Sequence, residues 1–299
     1  MTDHPDLVSI SPPPEQLAAP LAECFTVHVK SGPRTTRAIV GPGTMRLSAQ
    51  DMERYPALEI ISINGVGYDG VDIAAAQARG IRVTTTAGVL TNDVADLAIG
   101  LMLAVERRIA VNDRAARAGT WQVPLSRRAA GRRVGIFGMG QIGLAIAHRA
   151  EPFAGEVLYC ARSQKSVPWT FKADIESLAE ASDVLIIIAP SGPDTRAIVN
   201  ARVLEKLGKD GVLVNVARGS LVDEVALVAA LEAGIIAGAG LDVFEDEPHI
   251  PEALKRMDHV VLSPHQGSAT VVCRQEMADL VLANLDAHFA GKPLLTPLV

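Results

Sequence analysis

The run RVGIFGMGQIG, residues 133–143, decides how the rest of the chain is read. It begins as a short apolar, strand-like stretch. It continues as a glycine-spaced turn, Gly138-x-Gly140-x-x-Gly143, that opens the helical run QIGLAIAHRAEPF. Each glycine has a separate physical task. The first permits a tight turn, the second lets a pyrophosphate approach the backbone, and the third lets the helix pack on the strand. The phosphates would then lie at the positive end of a helix. Taken alone, such a loop is also compatible with an ordinary strand-to-helix turn. The strand before it and the helix after it favour a dinucleotide site.

Such a loop normally follows the first strand of its domain, so the chain before it belongs to a separate N-terminal domain. That region offers the strands LVSIS (7–11), FTVHVK (25–30), RAIVG (37–41), EIISING (59–65) and IRVTTT (81–86). The stretch NDVADLAIGLMLAVERRIAVNDRAARAG (92–119) then has apolar residues three and four apart, which predicts one long, largely buried helix. Six further strands follow: RVGIFG (133–138), EVLYCA (156–161), DVLIIIA (183–189), GVLVNVA (211–217), AGAGLDV (237–243) and HVVLSPH (259–265). Their near-continuous hydrophobicity fits strands covered on both faces. Strands alternating with helices predict an α/β chain built on parallel sheets.

Composition narrows the function. A net charge of −6 argues against a nucleic-acid binder, whose footprint is a basic face. The arginine pairs at 107–108, 127–128 and 132–133 are read as helix caps or solvent-facing residues. Three widely spaced cysteines, Cys24, Cys160 and Cys273, form no CxxC pair. They favour a reducing compartment over a disulfide framework or a zinc site, so no metal is expected. The N-terminal MTDHPDLVSI is acidic where a signal peptide is basic, and no apolar run is long enough to cross a bilayer. A soluble cytoplasmic protein is the expectation.

In an open α/β sheet, ligands bind outside the carboxyl ends of the strands. Each of the six later strands ends in a polar candidate: the glycine loop, Arg162, Pro190-Ser191, Arg218, Asp242 with Glu247, and His265. A guanidinium at Arg218 suits a carboxylate held through two hydrogen bonds, or a structural ion pair. Asp242 could accept a hydrogen bond from a nicotinamide carboxamide. In FEDEPHIPE, Glu245 and Asp246 are read as solvated, and Glu247 matters only if it meets His265. Among the histidines, His265 ends a strand in a Pro-His-x-Gly-Ser turn. His148 falls on a helix, whereas His4, His249 and His288 look exposed.

The turn YCARSQK (159–165) lies about 20 residues after the glycine loop, where an Asp or Glu usually takes the ribose 2′-hydroxyl of NAD. Here the chain has Arg162, Ser163 and Lys165 instead. An acid would repel a 2′-phosphate, whereas Arg162 can pair with it, Ser163 can donate to it and Lys165 can add a point charge. The alternative is that Arg162 lies along the adenine and selects nothing.

The residues GMGQIG, NVARGS, LDVFEDEP and SPHQGSAT, with NGVGYDGVD (64–72) and TNDVADLAIGLML (91–103), strongly resemble the D-isomer-specific 2-hydroxyacid dehydrogenase family. Within it they look most like the glyoxylate/hydroxypyruvate reductases. The resemblance implies two doubly wound parallel-sheet domains. A Rossmann nucleotide domain, 94–267, is inserted into a flavodoxin-like substrate domain made of 1–93 and 268–299. The active site would lie in the cleft, and closure would exclude water.

The resemblance also assigns roles. Arg218 would bind the substrate carboxylate and carbonyl. His265 would be the general acid, and Glu247 would bond its other ring nitrogen, favouring the protonated form. Backbone N–H groups near Val66 and Gly67 would hold the far side of the carboxylate. The nucleotide contacts implied are Gly138, Met139, Gly140, Gln141, Ile142 and Gly143 in the loop, with Arg162, Ser163 and Lys165. To these it adds Pro190, Thr195, Val216, Ala217 and Arg218, then Asp242, His265, Gly267 and Ser268. Trp121 either reaches a partner subunit's active site or is a helix-end aromatic. The reaction expected is reduction of small 2-oxo acids to D-2-hydroxy acids by NADPH, with NADH weaker, in a homodimer. Formate oxidation is set aside because those enzymes have Gln where this chain has Glu247. A phosphoglycerate-type dehydrogenase and a nucleotide-sensing, corepressor-like binding protein stay open.

Overall fold

The computed structural model describes residues 4–299. The strands are β1 (Asp6–Ser9), β2 (Thr26–Val29), β3 (Ala38–Pro42), β4 (Ile60–Asn64), β5 (Arg82–Thr84), β6 (Arg132–Phe137), β7 (Ala154–Cys160), β8 (Thr170–Lys172), β9 (Val184–Ile187), β10 (Val212–Asn215), β11 (Gly238–Leu241) and β12 (Val260–Leu262). The helices are α1 (Glu15–Cys24), α2 (Ala49–Glu53), α3 (Ile73–Ala78), α4 (Thr91–Glu106), α5 (Ile109–Arg117), α6 (Gln141–Ala150), α7 (Ile175–Glu180), α8 (Ala201–Leu207), α9 (Glu224–Glu232), α10 (Glu252–Arg256) and α11 (Val271–Phe289).

The chain divides into two compact units. One ends at Leu90 and resumes at Ala269–Val299, and the other is Thr91–Ser268. The first holds a sheet in the order β2-β1-β3-β4-β5, all pairs parallel. That is the flavodoxin-like order. Alternate residues of its strands serve opposite faces. Leu7, Val40 and Ile60 pack with α1 and with Ala278, Val281 and Leu285 of α11. Val8, Ile39 and Ile61 pack with Met45, Met52 and Ala76 on the other side. Near the far end of α11, His288 is not free in solvent. Its Nε2 lies 3.1 Å from Glu59 Oε2 and its side chain is 16% exposed.

The second unit holds the order β12-β11-β10-β9-β6-β7-β8, again wholly parallel. Counted from β6 as its first strand this is 3-2-1-4-5-6-7, the Rossmann order with one strand added. The edge strand β8 was not expected. It is three residues long and partly exposed, so it carries no apolar run to reveal it. Every residue of β9 and β10 is buried, as both-face coverage requires. Because all the strands run the same way, their carboxyl ends share one edge.

The long helix expected over 92–119 is in fact two. Helix α4 buries Val94, Ala98, Leu101, Met102 and Val105, and it sits close to β11 because Gly238 and Gly240 leave room for Val105 and Leu101. Beyond Glu106 the sequence is too polar to continue that face. Arg108 turns into the left-handed region at φ 51, and α5 buries no residue. Nor do the arginine pairs all face solvent. Arg127 and Arg132 converge on the fully buried Glu106 carboxylate, at 3.0 and 3.2 Å. A buried carboxylate needs such partners, since removing one would leave an uncompensated charge.

Candidate active site

The glycine loop joins β6 to α6, and its glycines divide the work as their chemistry requires. Gly138 has φ 111, and a Cβ there would come within 2.6 Å of the Ala189 nitrogen. A Cβ on Gly143 would collide with the Gly138 carbonyl oxygen. Around Gly140 nothing lies within 4 Å of where a Cβ would project. Gly140 is also the N-cap of α6, with no side chain capping it. The first turn therefore presents unshared N–H groups beside an open approach, which fits a pyrophosphate. Met139 is buried beneath the turn, Gln141 is exposed and Ile142 is half-buried.

The turn after β7 is built on Tyr159. Its ring is fully buried, and its hydroxyl accepts the Lys165 N–H at 2.8 Å and donates to the Lys165 carbonyl at 3.2 Å. This pins both ends of the turn and leaves Arg162, Ser163 and Lys165 exposed. No acidic side chain among the described residues pairs with Arg162 or Lys165. Beyond β9, Thr195 donates to the Pro190 carbonyl at 2.9 Å, which closes that loop.

Arg218 is positioned by a residue not anticipated from sequence. Asn215, 1% exposed at the end of β10, accepts the Ala217 N–H at 3.1 Å and donates to the Arg218 carbonyl at 3.0 Å. An amide in an otherwise apolar strand was the available signal. Val216 and Ala217 are buried within this turn, and Arg218 Nη1 donates to the Ala217 carbonyl at 2.8 Å.

His265 is held by a second buried acid. Asp242 is 1% exposed, and its carboxylate accepts the Ser263 hydroxyl at 2.6 Å, the Gln266 N–H at 2.7 Å and the Gly267 N–H at 2.8 Å. Its carbonyl accepts the His265 N–H at 2.8 Å. His265 has φ 55, a conformation that costs a non-glycine residue energy and persists only when its surroundings impose it. The three donors on Asp242 impose it, and they leave about one lone pair for any further donor.

The imidazole meets the acid on which its role depended. His265 Nδ1 lies 2.7 Å from Glu247 Oε2, while Glu247 Oε1 accepts the Phe244 N–H at 3.0 Å. Burial pushes the Glu247 carboxyl up, but the His265 ring, the Phe244 N–H and the Arg218 charge outweigh it and hold it below the usual glutamate value. Ionised Glu247 can only accept, so Nδ1 carries a proton. Glu245 is not simply solvated. Its side chain pairs with Arg196 at 2.7 Å and its N–H reaches Glu224.

Asp242, Glu247 and His265 are thus brought together, with the Arg218 charge acting on Glu247. Arg162 stands three strand positions from Arg218 in the sheet order. Gly267 is buried and Ser268 half-buried at the end of this unit. Trp121 is 91% exposed. On the other unit, Val66 and Gly67 lie in the loop leaving β4, at the carboxyl edge of that sheet. Among the described residues, no cluster of side chains could hold a metal ion. No helix there is long and apolar enough to cross a membrane.

Known proteins are similar to this chain over nearly its whole length. Residues 99–267 match the family profile described as D-isomer specific 2-hydroxyacid dehydrogenase, NAD binding domain. A hydroxyphenylpyruvate reductase of Plectranthus scutellarioides is 49% identical, over 88% of this chain and 85% of its own. A glyoxylate/hydroxypyruvate reductase of Arabidopsis thaliana is 46% identical, over 92% and 89%. The solved NADPH-dependent glyoxylate/hydroxypyruvate reductase of Sinorhizobium meliloti, in complex with NADP and malonate, superposes with a TM-score of 0.95. It is 43% identical and is covered to 97%, against 99% of this chain. With two parallel-sheet units, a glycine loop after β6 and a His265–Glu247 pair at the far end of the same edge, the chain belongs to the D-isomer specific 2-hydroxyacid dehydrogenase family.

Proposed function

We propose that this protein reduces small 2-oxo acids of the glyoxylate and hydroxypyruvate type to D-2-hydroxy acids, using NADPH. The observation that carries the reading is the 2.7 Å contact of His265 Nδ1 with ionised Glu247. It keeps a proton on Nδ1, so a second proton taken up at Nε2 makes the imidazolium that gives its Nε2 proton to the substrate's carbonyl oxygen. The Arg218 guanidinium binds the substrate carboxylate and draws electron density toward the carbonyl oxygen. When bound, the reduced nicotinamide supplies the hydride. The first turn of α6 and the glycine loop hold the pyrophosphate, and Arg162 with Ser163 and Lys165 takes the 2′-phosphate. The Thr91–Ser268 unit is therefore read as the nucleotide domain and the other as the substrate domain. The N–H groups near Val66 and Gly67 are read as the second hold on the carboxylate, on the strength of the family resemblance.

The same reading places the protein in the cytoplasm as a homodimer, with Trp121 directed to a partner subunit. Supporting the dimer, Trp121 and Leu125 are 91% and 97% exposed, a costly state for large apolar side chains. Sedimentation equilibrium measures the dimer directly, and a monomer would refute it. The reaction is tested by steady-state rates on glyoxylate, hydroxypyruvate, pyruvate and phenylpyruvate, each with NADPH and NADH. The highest kcat/KM is expected for glyoxylate or hydroxypyruvate with NADPH. No turnover of any 2-oxo acid, with tight nucleotide binding retained, would instead make the protein a nucleotide sensor.

A further inference from the structure

The stretch RGSLVDE, residues 218–224, ends in two successive acids. Asp223 has a local task, since its side chain caps α9 by accepting the Ala226 N–H at 3.0 Å. Glu224 is therefore not needed as the cap, and its carboxylate serves a different loop. There Oε1 accepts the Glu245 N–H at 3.3 Å. The position disfavours a charge. Burial pushes the Glu224 carboxyl above its usual value; the Glu245 N–H opposes it, and the Glu245 and Asp246 charges add to it. An acid kept against burial and like charge calls for a compensating role.

The loop that Glu224 grips is the one that carries Glu247. Its backbone at Phe244–Glu245 rests directly on Gly219, where any Cβ would fall onto the Phe244 carbonyl. The turns bearing Arg218 and Glu247 are therefore seated against each other. Glu247 then folds back to accept the Phe244 N–H and to meet His265. A further tie of this loop is the Arg196–Glu245 ion pair, whose side chains are 66% and 41% exposed. A pair so exposed contributes little. Glu224, by contrast, holds the backbone of the loop itself.

We propose that Glu224 is a positioning residue for proton transfer: by holding the Glu245 N–H it fixes the turn from which Glu247 orients His265. This rests on His265 being the proton donor. Glu224 touches neither substrate nor the reacting atoms and acts only through Glu247.

Three substitutions separate reach from charge. Glu224→Gln keeps an acceptor at the same distance, Glu224→Asp keeps the charge but falls one methylene short, and Glu224→Ala removes both. Three measurements read the result: kcat for glyoxylate at saturating NADPH, hydrogen exchange of the 243–249 segment, and NADPH affinity. The Asp and Ala variants should lose about tenfold in kcat, with faster exchange in that segment and NADPH affinity unchanged. The Gln variant should stay within about twofold of wild type in kcat and in exchange. Placed on a Glu247→Gln background, Glu224→Asp should add no further loss, because the effect passes through Glu247. A Gln variant as impaired as Asp, unchanged exchange in Asp, or a fully additive double variant would overturn the proposal. If the wild type turns over no 2-oxo acid, it is the reading of the reaction that fails, and the exchange rates alone decide whether Glu224 holds the loop.

Discussion

The two ends of the seven-stranded sheet treat their polar side chains in opposite ways. At the β10–β12 end, each candidate catalytic group is tied to protein. Asn215 clamps the Arg218 turn, Asp242 takes three donors around His265, and Glu247 accepts from both Phe244 and His265. At the β6–β7 end, protein ties hold only the backbone. Tyr159 pins the 159–165 turn, while Arg162, Gly140 and the first turn of α6 keep their charge and N–H groups unshared. Proton transfer needs atoms placed to a fraction of an ångström before the substrate arrives. A phosphate brings its own strong acceptors, so its site needs only donors with nothing else to bond.

That contrast can be broken, first at Arg218. Arg218→Lys keeps the charge but loses the planar two-point grip, and kcat/KM for glyoxylate should fall by about a hundredfold or more. A loss below tenfold would mean the carboxylate is held elsewhere. At the opposite end, Arg162→Ala should change the ratio of KM values for NADPH and NADH by about 10- to 100-fold, with kcat at saturating NADPH little altered. An unchanged ratio would make Arg162 a bystander along the adenine. Asp242→Asn introduces an NH2 group where the carboxylate accepts donors. Unfolding in urea should show about 1–3 kcal/mol of lost stability, and kcat should fall with it.

The smallest effect is a control at the sheet's amino edge. Asp183 accepts the Arg133 N–H and guanidinium at 2.8 Å. Burial pushes the Asp183 carboxyl up, but the Arg133 hydrogen bonds and charge prevail and hold it below the usual aspartate value. A depressed folded pKa stabilises above the unfolded value and loses that contribution as pH falls through the folded one. Asp183→Asn should therefore cost about 1 kcal/mol at neutral pH, a cost that shrinks below the ordinary aspartate pKa while kcat is unchanged at any pH. Urea unfolding of both proteins across that pH range checks it.

The parts visible in sequence were those encoded locally. Runs such as VLIII and VLVNV mark buried strands because both faces of a central strand are covered, and the glycine spacing marks a turn whatever surrounds it. The pairing of Glu247 with His265 could only be a condition, because 18 residues and a strand separate them. What escaped notice depends on partners distant in the chain. Glu106 reads as a surface acid until Arg127 and Arg132 close over it. Glu224 reads as a helix-start acid until the 244–248 loop lies against it. The break at Arg108 was hidden because ERRIAVNDR can continue a helix, and only the loss of a buried face ends it.

The division of labour along this edge is tested most directly by His265→Ala, assayed for NADPH affinity by fluorescence titration and for kcat on glyoxylate in the same preparation. NADPH affinity within about twofold of wild type, with kcat lowered by about 10²–10⁴-fold, is the expected result. Turnover near the wild-type rate would contradict His265 as the proton donor, and a matching loss of NADPH affinity would contradict the separation of the two ends.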